Sequence, residues 1–189
     1  MGRLSDISLV TQVTVLGNKR AFDQLVRQYQ SPVRRFFLSQ TLGNESLSDD
    51  LAQDTFLKAY THLSQYRGTS SFLTWLTRIA YNVWYDNCRS EKGKLKKELF
   101  AAGEPSAEGA AEANSSFSAL HSSLNMDLFS ALAQLRSEER ECVTLQLVDG
   151  YAIDEISGIT RMPVNTVKSH LKRGKEKMAN YLKQNGYDR

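Results

Sequence analysis

Apolar positions recur along this chain at helical spacing. Phe22, Leu25, Val26 and Tyr29 fall at i, i+3, i+4 and i+7, one face of a helix, and Val33, Phe36 and Phe37 prolong the stripe. Pro32 sits inside it, so a break or a fresh first turn is expected there, because proline lacks an N–H and crowds the preceding turn. Ser48 is placed to cap the next helix, with Asp49 and Asp50 in the first turn, where the helix dipole favours acids. Phe56, Ala59, Tyr60 and Leu63 form the apolar face of that helix. Residues 66–71, YRGTSS, are a turn-rich break. A long helix is predicted from Phe72 into the nineties, with Leu76, Ile79, Ala80 and Val83 facing inward. Strand alternation is almost missing.

The pattern then lapses. Residues 101–125 are mostly Ala, Ser, Gly and Glu with one Pro, too poor in bulky apolar groups to repay the entropy of folding. A second helical block follows. Leu128, Leu132 and Leu135 make a short stripe, Ser137 caps the next helix with Glu138 and Glu139 in its first turn, and Gly150 ends it. The expected fold class is all-α. Two small helical domains, residues 1–95 and 126–189, are joined by a flexible linker over 96–125. No fixed repeat relates the two.

Composition narrows the function classes. Hydrophobic content of 41% suits a folded chain, and no apolar run approaches the ~20 residues that span a bilayer. The first residues lack the apolar core of a signal peptide, and Asp6 stands where a myristoylation motif wants Ser or Thr. A cytoplasmic protein without membrane insertion is expected. Cys88 and Cys142 belong to no C-x-x-C pair and are expected as reduced thiols. His62, His121 and His170 are scattered, with no metal-ligand or triad spacing, and there is no phosphate-binding glycine loop. Neither a metal, a cofactor nor an enzyme is implied.

Charge is unevenly distributed. The whole chain carries +3, yet between Arg161 and Lys183 there are seven Lys or Arg against one acid, Glu176. The preceding segment, Arg136 to Thr160, has two Arg against six acids. The basic segment has the form of a helix-turn-helix. Ile153, Ile156 and Ile159 fill a short helix, a turn covers Thr160 to Met162, Pro163 opens the second helix, and Val167 and Leu171 face inward. Asn165, Lys168, Ser169, Lys172 and Arg173 lie on the outer face, placed to enter a major groove. Lys175 and Lys177 are expected on phosphate or on nothing. A DNA reader needs positive charge where phosphates will be, not over its whole surface.

The first block carries its own constellations. Asp50, Gln53, Asp54 and Leu57 recur at i, i+3, i+4 and i+7, a docking face for a basic partner. Trp75, Arg78, Asn82, Tyr85 and Arg89 share a face opposite the Leu76 stripe, and aromatics interleaved with Arg suit single-stranded DNA.

These residues sit in two ordered motifs. Asp50, Gln53, Asp54, Phe56, Lys58 and Tyr60 form the first; Tyr66, Arg67, Gly68, Ser70, Phe72, Thr74, Trp75, Leu76, Ile79, Ala80 and Asn82 form the second. Together with DEI…PVNTVKSHLKRGKEKM they resemble bacterial RNA polymerase sigma factors of the extracytoplasmic-function (ECF) type, within the sigma-70 family. The resemblance implies a chain that binds core RNA polymerase, directs it to promoter DNA and helps melt the minus-10 element. It implies that the Asp50 face meets the clamp helices of the polymerase. Tyr66, the loop after it and Asn82 would capture a flipped minus-10 base, with Arg78, Tyr85 and Arg89 along the strand. The outer face of the second helix would read the minus-35 element, and an anti-sigma factor is an implied partner.

Three positions depart from the family pattern. Asn165 replaces a frequent Gly, His170 a common Arg, and Ala152 a usual Ser/Thr cap. The rival reading is a two-component or quorum-type regulator, whose helix-turn-helix also shows TVKSHL, but such a protein carries an alternating strand-and-helix sensor domain. A helical hydrolase with a DNA-binding tail lacks a converging nucleophile and base.

Overall fold

The computed structural model describes the backbone of residues 3–102 and 123–187, with side chains over 4–91 and 127–187. Among the described residues the secondary structure is wholly helical. Of the expected linker, residues 103–122 lie outside those described.

In the first block α1 (Arg3–Leu16), α2 (Lys19–Gln40), α3 (Glu45–His62) and α4 (Phe72–Ala102) surround one core, with a 3-10 turn at Leu63–Gln65. Leu25, Phe36, Phe37, Leu63, Phe72 and Leu76 are almost wholly inaccessible. Gly17, at φ +64, makes the turn between α1 and α2, and the Asn18 side chain caps α2 by accepting from the Arg20 amide at 3.1 Å. Buried Asp6 fastens α1 down, accepting from the Tyr29 hydroxyl at 2.7 Å and the Gln28 amide at 3.2 Å.

Three sequence expectations fail here. The helix α2 runs through Pro32 without a break. An interior proline costs ~3 kcal/mol, but Leu25, Tyr29, Val33, Phe36 and Phe37 are buried on both sides of it, and only a continuous helix buries them together. Ser48 is not the cap of α3. That cap is Asn44, whose Oδ1 accepts from the Leu47 amide at 3.0 Å, after a turn in which Leu42 and Gly43 have φ of 56° and 89°. Ser48 is buried within α3, donating to the Asn44 carbonyl at 2.6 Å. Of the expected apolar face, Ala59 and Leu63 are buried, but Tyr60 is exposed.

The second block comprises α5 (Ser123–Ala133), α6 (Ser137–Val143), a π-helical segment (Thr144–Val148), α7 (Ile153–Thr160) and α8 (Val164–Gln184). Leu132 and Leu135 enter its core as expected, whereas Leu128 is exposed. Ser137 is the first helical residue of α6 rather than its cap; the Glu139 carboxylate reaches back to accept from the Arg136 amide at 3.2 Å. Gly174 lets α8 approach α6 closely. A Cβ there would lie 2.7 Å from Cγ2 of Val143.

The two blocks dock on each other: α6 and the π segment against α2, and α7 against α4. Thr77 and the Tyr151 hydroxyl share a hydrogen bond of 2.8 Å across this contact, Trp84 donates to Glu141 at 3.3 Å, and Arg140 donates to the Gln40 carbonyl at 2.9 Å.

Candidate nucleic-acid and protein interfaces

Helices α2 and α3 splay apart above the core and leave a groove of about 680 Å³. Its floor is apolar, with Phe22, Val26, Leu38 and Phe56, and Tyr60 closes one end by packing edge-on against Phe22 at 4.9 Å. Gln53 and Leu57 line it, Leu57 being 59% exposed. Asp50 and Asp54 are also exposed on α3, outside the groove lining. Arg34 spans the rim, its Nε 2.5 Å from Asp49 and its Nη2 3.5 Å from Glu45; the Asp49 hydrogen bond is the main force raising the guanidinium pKa. The four predicted residues thus lie exposed on one helix. An exposed leucine beside an unfilled apolar trough and two exposed acids at its edge suit a partner helix with an apolar ridge and basic flank.

At the far end of α3 the chain turns through the 3-10 segment into residues 66–71. Gly68 takes φ +68, the Tyr66 hydroxyl donates to the Ser70 carbonyl at 2.9 Å, and Ser71 caps α4 by accepting from the Thr74 amide at 3.0 Å. The loop is held by its own hydrogen bonds. The Tyr66 ring packs on Phe72 and Trp75, with centroids 5.4 and 5.5 Å away. Trp75 is therefore braced against the aromatic cluster and only half-exposed.

A cleft of about 260 Å³ opens beside this loop. Tyr66, Arg67 and Gly68 form one wall, and Ile7, Thr11 and Thr14 of α1 form the other. The contribution of α1 was not legible in the sequence, because nothing in its pattern says which loop it packs on. Asn82, expected in the same pocket, is half-buried on α4 and is not among the lining residues. Arg78, Tyr85 and Arg89 are exposed on α4, with Tyr85 at 57%.

In the second block α7 and α8 form the expected helix-turn-helix. Arg161 ends α7 in the left-handed region at φ 60°. The Ser157 hydroxyl donates to the Met162 carbonyl at 2.6 Å, and Thr160 Oγ1 accepts from the Met162 amide at 3.3 Å, which fixes the turn. Ala152 offers no side-chain cap, but Glu155 accepts from its amide at 3.0 Å and replaces half of what a Ser would give. Val167, Leu171 and Met178 are buried, and Asn165, Lys168, Ser169, Lys172 and Arg173 all point outward. Ser169 and Arg173 each bond back to a carbonyl one turn earlier, at 2.9 and 3.2 Å. Lys175 is exposed. Lys177 is paired within the domain: its Nζ lies 2.6 Å from Oε2 of buried Glu139. Burial alone would raise the Glu139 carboxyl; Lys177 and the Arg136 amide together hold it below the usual range. Lys177 is thus paired with Glu139, while its own side chain stays 41% exposed. His170 is half-buried, and its Nδ1 makes no hydrogen bond.

Among the described residues there is no cluster of three or more His, Cys, Asp or Glu able to hold a metal, and no helix is long and apolar enough to cross a membrane. Cys88 and Cys142 are thiols not joined in a disulfide, and burial pushes the Cys142 thiol up to about 12.

Comparison with known proteins agrees with this arrangement. The Sigma-70 region 2 family matches residues 25–94 and the Sigma-70 region 4 family matches residues 125–178. The ECF RNA polymerase sigma-E factor of Salmonella typhi is 31% identical over 186 residues, covering 94% of each chain. The RNA polymerase sigma-H factor of Pseudomonas aeruginosa is 30% identical over 176 residues, 85% of each. In fold the chain is similar to the sigma factor RpoE solved with the anti-sigma factor NepR from Bartonella quintana, with TM-score 0.67 and 22% identity over 86% of this chain and 96% of that one. It is likewise similar to CnrH solved with the cytosolic domain of CnrY, with TM-score 0.62 and 22% identity over 96% and 97% of the two chains. A two-component regulator is not favoured by any of these. The chain belongs to the sigma-70 family of RNA polymerase sigma factors, in its extracytoplasmic-function group, and directs the polymerase to promoters.

Proposed function

We propose that the three surfaces divide the work of a sigma factor. The trough beside Gln53 and Leu57, with Asp50 and Asp54 at its edge, takes the clamp helices of core polymerase. The cleft walled by Tyr66, Arg67 and Gly68 takes a base extruded from the minus-10 element, while Arg78, Asn82, Tyr85 and Arg89 follow the strand along α4. The outer face of α8, with Asn165, Lys168, Ser169, Lys172 and Arg173, reads the minus-35 element in the major groove. In domain terms, residues 1–95 bind polymerase and the minus-10 element, 96–125 connect, and 126–189 bind the minus-35 element.

The observation that carries this reading is the order of the surfaces. One chain bears an apolar trough edged by acids, an aromatic-walled cleft beside an Arg- and Tyr-bearing helix, and a helix-turn-helix with a basic outer face. Extruding a base costs a few kcal/mol. A cleft preorganised by the Tyr66–Ser70 hydrogen bond and the Tyr66–Trp75 contact meets it without further ordering. The protein supplies no catalytic group; nucleotide chemistry belongs to the polymerase. A cytoplasmic location follows from that partner. An anti-sigma factor is a further proposed partner, since the sigma factor RpoE, of similar fold, was solved with the anti-sigma factor NepR.

The test is the affinity of fluorescent core polymerase for the chain and for Leu57→Arg. An arginine at the trough mouth puts charge where an apolar ridge must seat, and leaves α3 helical because Leu57 is exposed. A loss of at least about tenfold is expected. Wild-type affinity in a folded Leu57→Arg protein removes the trough from the reading.

A further inference from the structure

The outer face of α8 carries one side chain unlike its neighbours. Lys168, Lys172 and Arg173 bring hydrogen-bond donors only, and a phosphate or the acceptor edge of guanine satisfies such donors alike. Ser169 commits its hydroxyl proton to the Asn165 carbonyl at 2.9 Å, so it turns lone pairs outward. Arg173 commits its Nε to the Ser169 carbonyl at 3.2 Å. Of the five residues on this face, Asn165 alone carries an acceptor and a donor on one planar amide. Asn165 is exposed, and its amide has no hydrogen-bond partner among the described residues.

The backbone beneath that amide is held from both sides. Ahead of it the turn is tied by the Ser157–Met162 and Thr160–Met162 hydrogen bonds, and Pro163 leads into α8 at φ −56°. Behind it Val167 and Leu171 anchor the inner face in the core. Asn165, Ser169 and Lys172 recur at i, i+4 and i+7, which places the amide at the head of the outer stripe. In a helix-turn-helix the first residues of the second helix reach the base edges. With the backbone fixed, only the side-chain torsions of Asn165 remain to be ordered when the amide meets a base.

The bases differ at the edge such an amide would meet. In the major groove guanine shows two acceptors, cytosine an amine, and thymine a carbonyl beside a methyl group. Adenine sets the acceptor N7 next to the N6 amine. A carbonyl that accepts from N6 and an NH2 that donates to N7 satisfy both halves of the amide at once. Against guanine only the NH2 finds a partner, and the amide oxygen faces another acceptor. The lysines of this face make no such distinction.

We propose that Asn165 reads an adenine in the major groove of the minus-35 element, its Oδ1 accepting from N6 and its Nδ2 donating to N7. Asn165 is thereby the residue that sets preference for one base of that element, at a position where the sequence departs from the family pattern. The inference rests on the assignment of the outer face of α8 to the minus-35 element.

Holoenzyme formed with the full chain tests it, on a promoter fragment that it transcribes, randomised across the minus-35 element. The wild type is expected to enrich adenine at one position, and Asn165→Ala to relax that position alone. The variant keeps the helix, since Asn165 is exposed and alanine is the better helix former. Asn165→Asp, which keeps the size and loses the donor, is expected to lose the adenine as well. On the selected fragment, replacing that adenine by 7-deazaadenine should weaken the wild type about fivefold or more, and should weaken Asn165→Ala no further. Adenine enrichment that survives in either variant overturns the proposal, as does a 7-deazaadenine effect of equal size in wild type and Asn165→Ala. A variant that binds every sequence more weakly with unchanged preference makes Asn165 a phosphate contact and also overturns it. Arg173→Ala separates these failures from that of the underlying reading. If Arg173→Ala lowers the salt slope while Asn165→Ala changes nothing, α8 still binds the duplex and only the adenine contact falls. If neither variant alters affinity, preference or salt slope, the assignment of α8 fails, and the adenine contact with it.

Discussion

The indole of Trp84 on α4 donates a hydrogen bond to the Glu141 carboxylate of α6, linking the two domains at 3.3 Å, with Glu141 only 5% exposed. Burial raises the Glu141 carboxyl, with hydrogen bonds from Ser137, Tyr81 and Trp84 working against the rise. Burial likewise pushes the Asp149 carboxyl up to about 6, with Arg35 opposing. Around Glu141 stand Tyr81 and Trp84 from α4 and Ser137, Glu138 and Arg140 from its own segment; Asp149 faces Arg35 from α2 and Tyr151 beside it.

A carboxyl whose pKa is higher docked than undocked favours the docked state when protonated. For Asp149 that contribution is fully present below the ordinary value of 3.8 and is lost as pH rises through about 6. Docking should therefore take up protons and weaken from acid towards neutral pH. Interdomain energy transfer between labels on exposed sites of α3 and α8 should fall as pH rises from 5 to 7. Asp149→Asn, which cannot ionise, should flatten that dependence.

Lys177 and Arg173 differ by one turn of α8 and should differ in kind. Arg173 is exposed, whereas Lys177 is neutralised by Glu139 at 2.6 Å. Arg173→Ala should reduce the salt slope of promoter binding by about one unit. Lys177→Ala should leave that slope unchanged and destabilise the second domain by ~1–3 kcal/mol, because it leaves a buried carboxylate short of a partner. Salt titration of holoenzyme binding and urea unfolding of each variant check the two halves.

Gly174→Ala should destabilise the same domain although alanine is the better helix former. The gain in propensity is ~1 kcal/mol. The new Cβ would sit 2.7 Å from Val143 and 3.5 Å from the Glu139 backbone and Cβ, and overpacking of that kind costs ~1–3 kcal/mol. Calorimetry of the variant should show a lower transition; an unchanged or raised one means that α6 and α8 part easily.

The pattern of the sequence showed what a single helix face can show. Val167 and Leu171 face inward on α8, Leu76, Ala80 and Val83 do so on α4, and the basic outer face of α8 stands free. What escaped depends on neighbours far along the chain. Nothing near Tyr81 or Trp84 says that α6 will cover them, so α4 read as having one buried stripe when it has two. Pro32 read as a break because local cost is visible and the burial that offsets it is not. The pairing of Lys177 with Glu139 was not legible because that partner lies 38 residues earlier. The cleft beside Tyr66 was half legible: its loop stands in the motif, but its second wall is α1.

The central claim is that this chain loads polymerase onto promoters and opens them through the Tyr66 cleft and α4. Permanganate footprinting within a run-off transcription assay measures it most directly. Core polymerase with the wild-type chain should yield discrete transcripts from genomic fragments, with reactive thymines near minus-10. Asn82→Ala and Tyr85→Ala should retain duplex binding through α8 but lose that reactivity several-fold. Transcripts no different from those of core polymerase alone would contradict the account as a whole, and unchanged reactivity in both variants would contradict the assignment of α4.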